Sequence, residues 1–135
     1  MRILYLHQFF ITRSGAGGTR SYEFARRFVA RGHAVRMVTA ADAAGAVDVG
    51  GASEVDGIDV VGVRGASSDY VRATGVPYPR RMRAFARFAL AASTAALRGP
   101  RPDVVSATSP PLTVALPALA AVLRWRVPLV FEVRD

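Results

Sequence analysis

"RILYLHQFFITRSGAGGTRSYEFARRFVARGHAVRMVT", residues 2–39, sets the reading of the whole chain. Arg2 to His7 is a short run apolar on both faces, the pattern of a central parallel strand covered by helices. A glycine-rich turn, SGAGGTRS at 14–21, follows. From Thr19 to Arg31, Tyr22, Phe24, Ala25, Phe28 and Val29 recur at helical spacing, and Gly32 stands as a C-terminal stop. Ala34 to Thr39 is a second strand. Strand, loop, helix and strand within forty residues make a βαβ unit with a right-handed crossover.

The same alternation continues outward. Ala40 to Asp56 is small and polar and reads as a surface loop, and Gly57 to Val63 reads as a third strand. After a loop from Gly65 to Pro79, a helix is expected from Arg80 to Leu97, with Met82, Phe85, Ala89, Ala92 and Ala96 inward. Arg80, Arg83, Arg87 and Arg98 lie on its opposite side. Asp103 to Ala107 is a fourth strand, Pro111 to Leu123 an apolar helix with a kink expected at Pro117, and Pro128 to Val133 a fifth strand. The fold class is therefore α/β: one domain over residues 1–135, with a doubly wound, mostly parallel sheet between two helical layers. The chain stops at Asp135, just beyond a strand end where such sheets bind ligands, so we expect it to be half of a larger protein.

Composition excludes several classes. The chain has no Cys, and its two His are far apart, so disulfides and a structural metal are not expected. All eighteen basic residues are Arg, as in a GC-rich coding sequence, and the net charge of +8 favours an anionic ligand or membrane surface over nucleic acid. The start of the chain lacks a secretory h-region, so a cytoplasmic protein is expected. Val104 to Leu123 is uncharged and long enough to span a bilayer, but Ser106, Thr108, Ser109 and the Pro110-Pro111 pair divide it into a strand, a turn and a helix.

The glycine turn narrows the ligand. A dinucleotide fingerprint needs Gly at position 20, where Arg20 stands, and an acidic residue after the second strand, where Thr39 and Ala40 stand. A phosphate-binding P-loop needs Lys, which the chain lacks. There remains a glycine-rich turn at a helix N-terminus, suited to a phosphate or sugar diphosphate, or else a plain surface turn.

MRILYLHQFF, GGTRSYEFARRFVARGH, VVSATSPPLTVALPAL and VPLVFEVRD together resemble the N-terminal half of GT-B-fold glycosyltransferases of family 4, in particular bacterial enzymes that build O-antigen and capsule polysaccharides. The resemblance is strongest over residues 1–40 and 101–135. It implies the acceptor-side domain of a retaining transferase that takes a nucleotide-diphosphate sugar as donor and uses no prosthetic group. The donor-binding C-terminal domain is absent from this chain, so the fragment alone should be inactive. The rival reading is a free-standing α/β module that binds a phosphorylated or nucleotide ligand without catalysis.

Carried over by position, Gly17 and Gly18 approach the donor diphosphate, with Thr19 and Arg20 opening the helix beneath; Thr19 is equally an N-cap and Arg20 a solvated charge. His7 and Gln8, after the first strand, and Ser109, after the fourth, would face sugar or acceptor; the alternatives are a structural His and a Ser that caps the next helix. Glu132 interrupts an apolar strand and needs a partner, for which Arg134 is the near neighbour. By the resemblance Asp135 is the expected catalytic carboxylate at the donor sugar; the alternative for this stretch is a structural salt bridge among Glu132, Arg134 and a loop. A lipid-linked acceptor would place the protein peripherally on the inner face of the plasma membrane, through Arg80, Arg83 and Arg87.

Overall fold

The computed structural model describes residues 1–15, 17–41, 50–65 and 74–134. Among the described residues six strands form one sheet: β1 (Arg2–Leu6), β2 (Ala34–Ala40), β3 (Ala52–Val55), β4 (Ile58–Val63), β5 (Val104–Thr108) and β6 (Leu129–Glu132). Their spatial order is β3-β4-β2-β1-β5-β6, and all neighbours are parallel except β3 with β4. Among the described residues the helices are α1 (Arg20–Ala30), α2 (Tyr78–Arg98) and α3 (Ala115–Trp125), the last preceded by a 3-10 turn at Leu112–Val114. This is the expected three-layer, Rossmann-like α/β arrangement.

Strand alternation builds two cores. Ile3 and Tyr5 of β1, Val35 and Met37 of β2, and Ile58 and Val60 of β4 face α1, where Tyr22 and Ala25 are buried. Leu4, Leu6, Val38, Val105 and Ala107 face the other way, onto Phe88, Ala92 and Ala96 of α2 and Ala118 and Ala121 of α3. Small residues on α2 and α3 let both helices lie close to the sheet and to each other. Gly32 ends α1 as expected: it takes φ +85°, and the amides of Gly32 and His33 donate to the carbonyls of Val29 and Phe28.

The structure departs from the expected elements at three points. The span read as loop from Ala40 to Asp56 contains β3, which pairs with β4 through a two-residue turn at Asp56 and Gly57 (φ +49° and +79°). Asp-Gly between strand-forming residues is a hairpin signal, and both central residues of such a turn need positive φ. The turn is fastened to α1, because the Tyr22 hydroxyl donates to the Asp56 carboxylate. Second, α2 begins at Tyr78, so Pro79 lies in its first turn, where its missing N–H is harmless. Third, α3 begins at Ala115, so Pro117 also sits in a first turn and is not a mid-helix kink.

Gly57 and Gly32 both have positive φ, but a Cβ would meet Val29 Cγ1 at 2.7 Å only at Gly57; at Gly32 nothing lies within 4 Å. Gly32→Ala should therefore lower unfolding free energy by the left-handed backbone term alone, about 1–2 kcal/mol. Gly57→Ala should lose measurably more in urea titrations, since Val29 must also move. Equal losses would show that Val29 does not constrain the turn.

Candidate functional site

The strand order reverses at β1: β2 and β4 lie on one side, β5 and β6 on the other. In open α/β sheets the crevice outside the carboxyl ends at such a switch point receives ligands. His7 and Gln8 leave β1 at this point, and Ser109 leaves β5 beside it. The His7 amide donates to the Val38 carbonyl, and the Gln8 carbonyl accepts from the Ala40 amide and the Thr39 hydroxyl, so the chain is held beyond the formal strand end.

His7 is 3% exposed, and its Nδ1 lies 2.8 Å from Oγ of the buried Ser21 on α1. Burial, aided by the positive charge of Arg134, lowers the His7 pKa from 6.5 to about 4. The imidazole is therefore neutral near pH 7, with one donor and one acceptor nitrogen.

The two glycines of the turn differ in what requires them. Gly17 takes φ +150°, and a Cβ there would lie 2.7 Å from Ile11 Cδ1, so Gly17 has a backbone reason independent of any ligand. Gly18 has room for a Cβ, whose nearest neighbour would be Nη2 of Arg134 at 3.6 Å. Thr19 occupies the N-cap position of α1 without a side-chain capping hydrogen bond, which removes the capping alternative for its hydroxyl. Arg20, the first residue of α1, is more than a solvated charge. It lies over the Phe24 ring and reaches Glu132 Oε1 at 3.0 Å, an ion pair without hydrogen-bond geometry.

Glu132 therefore pairs with Arg20 rather than with its neighbour in sequence, Arg134. The other carboxylate oxygen accepts from the Thr108 hydroxyl at 3.1 Å, and that hydroxyl lies 3.3 Å from the buried Tyr5 hydroxyl. Burial raises the Tyr5 pKa, keeping the phenol protonated. Arg134 is anchored through its backbone, its amide donating to Ser109 Oγ at 2.8 Å. Ser109 is thus a tie between the ends of β5 and β6 and not a helix cap. The Arg134 guanidinium lies beside Gly18, its Nη2 3.6 Å from where a Cβ would stand.

The fold accordingly gathers His7, Gln8, Gly17, Gly18, Thr19, Arg20, Ser109, Glu132 and Arg134 at one edge of the sheet. Asp135 lies outside the described residues. Tyr5, Ser21 and Thr108 belong to the same network and were not singled out from sequence; Thr108, just before Ser109-Pro110-Pro111, was the nearest to a signal. Among the described residues no group of three or more His, Asp or Glu converges as a metal site. A cavity of about 120 Å³ lies at the opposite, amino end of the strands, between Arg2, Arg36, Asp59 and Gly99, away from this network.

Residues 15–135 match the family described as glycosyl transferase 4-like domain. No curated protein matches the sequence. Among solved structures, the C-terminal domain of PF1911 hydrogenase from Pyrococcus furiosus is similar, with a TM-score of 0.59 at 12% identity, over 97% of this chain and 89% of that one. At that identity the likeness concerns the fold alone.

The His7 shift has a measurable consequence. Below pH 6.5 the unfolded chain protonates this imidazole, whereas the folded chain resists until about pH 4. Its contribution is unchanged above pH 6.5 and is lost as pH falls through this window, by roughly 3 kcal/mol. His7→Gln should flatten that part of the stability profile relative to the parent. Parallel profiles for the two proteins would show that His7 is not held neutral.

Proposed function

The chain belongs to the glycosyl transferase 4-like family, and from that premise we propose that it forms the acceptor-side half of a nucleotide-sugar-dependent, retaining transferase. The observation that carries this reading is the convergence of Arg20 and Arg134 on the uncapped start of α1, beside Gly18. Glycosyl transfer from a nucleotide-diphosphate sugar breaks the anomeric C–O bond and leaves negative charge on the diphosphate. Free amides at a helix N-terminus and two guanidinium groups suit that charge. Glu132 neutralises Arg20 while no anion competes for it. An arriving diphosphate would draw Arg20 away and leave the carboxylate on Thr108.

Asp135 continues the chain from Arg134, and we assign its carboxylate the role of stabilising the positive charge that develops at the anomeric carbon. Neutral His7 offers a hydrogen bond to a sugar or acceptor hydroxyl, and Gln8, fully buried beside it, supports that turn from behind. A second α/β domain would hold the nucleotide and face this edge. The acceptor in this proposal is a sugar carried on a lipid diphosphate at the inner face of the plasma membrane, with Arg80, Arg83 and Arg87, all exposed on α2, turned toward the anionic lipid.

Gly18→Val and Asp135→Asn in the full-length transferase test the reading. Valine at position 18 puts methyl groups between the turn and the Arg134 guanidinium, and asparagine at 135 keeps size while removing charge. Each should lower kcat/KM by about 10- to 100-fold with the melting temperature unchanged. Wild-type kcat/KM in both variants would refute the assignment. Gly17→Val is the poorer probe, because its strained backbone would disturb the turn by itself.

A further inference from the structure

The layer formed by α2 and α3 has an outer side that the transfer chemistry does not use. On α2, Arg80, Arg83, Arg87, Leu90, Thr94, Leu97 and Arg98 are exposed at helical spacing. Leu90 is 72% exposed. From the 3-10 turn through α3, Leu112, Leu116, Leu119 and Leu123 recur at intervals of four, three and four, which places them in one stripe. They are 49–78% exposed, while Pro117, Ala118 and Ala121 fill the buried side. Isolated exposed leucines are ordinary on a folded surface; a row of four beside another on the neighbouring helix is not.

The charges on these two helices have a single sign. Neither α2 nor α3 contains Asp or Glu, and α3 adds Arg124 at its end. On the opposite layer Glu23 of α1 balances Arg13 in an ion pair. An apolar row with an exclusively cationic rim complements an anionic lipid surface: leucines enter the acyl boundary while guanidinium groups meet lipid phosphates. The topology also fits. A helix that follows a parallel strand starts at the carboxyl edge of the sheet, so the arginine-rich half of α2 lies at the same edge as His7, Gly18 and Arg134.

We propose that the outer face of α2 and α3 docks on an anionic bilayer, with Leu90, Leu116, Leu119 and Leu123 inserted and Arg80, Arg83, Arg87 and Arg124 at the lipid phosphates. The inference builds on the arginine contact proposed above and adds an apolar component to it. Monotopic docking needs no spanning segment, and among the described residues no helix is long and apolar enough to cross a membrane.

Co-sedimentation with vesicles of phosphatidylcholine and phosphatidylglycerol, against phosphatidylcholine alone, tests it. The parent should bind the mixed vesicles only and retain part of that binding at high salt. Replacing Leu116, Leu119 and Leu123 together by Gln should lower partitioning about tenfold and abolish the salt-resistant part. Replacing Arg80, Arg83 and Arg87 by Gln should lower it about tenfold at low salt. Gln preserves helix propensity at these exposed sites; if the triple leucine variant nevertheless loses its fold, Leu123→Gln alone should show a smaller loss of the same kind. A leucine variant that sediments like the parent overturns insertion, and a parent that ignores mixed vesicles overturns docking altogether. A dimer in light scattering that the leucine variant converts to monomer also overturns it, assigning the face to a second copy. Transfer to a water-soluble acceptor reads the catalytic proposal separately, because none of the substituted residues is among those proposed to contact the donor or the acceptor sugar.

Discussion

A parallel strand buried on both faces has room for polar side chains only at its ends, and β1 is such a strand. It pairs with β2 on one side and β5 on the other, and Ile3 to Leu6 fill the two cores above and below. Apart from the Tyr5 hydroxyl, which reaches Thr108, the first polar side chains are therefore His7 and Gln8, at the point where the strand order reverses. The same constraint on β5 and β6 delivers Thr108, Ser109, Glu132 and Arg134 to that edge. Because α1 must start near the end of β1 to cross back to β2, its exposed amides and Arg20 arrive there too.

Electrostatics then decide how these groups share the space. Glu132 is partly buried, with one oxygen on Thr108 and the other near Arg20, so its charge is compensated from two elements distant in sequence. Among the described residues Arg134 has no such carboxylate partner. Its nearness instead helps keep His7 neutral, and it faces the glycine turn. The edge as a whole presents cationic groups, free amides and a neutral imidazole, a set suited to a polyanionic ligand with hydroxyls to bind.

Much of this framework was legible in the sequence, because strand and helix periodicities are local. The βαβ unit, the stop at Gly32 and the split of Val104–Leu123 all follow from nearby residues, whereas the edge residues are named by position from the family resemblance. The hairpin was not read, although Asp56-Gly57 signals it; the small polar stretch before it masked a short edge strand with only Val55 as a large apolar residue. Pro79 reads as a barrier and Pro117 as a kink because a proline's effect depends on its distance from the helix start, which periodicity fixes poorly. The pairing of Glu132 with Arg20, and of Thr108 with Tyr5, spans the fold and has no local signature. Adjacency in sequence suggested Arg134 for Glu132, whereas Ser109 draws the Arg134 backbone toward β5.

The central claim is that the carboxyl edge of β1, β5 and β6 receives a diphosphate. Amide chemical-shift mapping with a nucleoside diphosphate such as UDP measures this directly, even for weak binding. The account expects shifts confined to the amides of Gly17 to Ser21, Ser109 and Arg134, together with the His7 ring, reduced by Arg20→Gln. Shifts clustered instead around Arg36 and Gly99 at the amino end of the sheet, or none at the α1 N-terminus at saturating ligand, would contradict it.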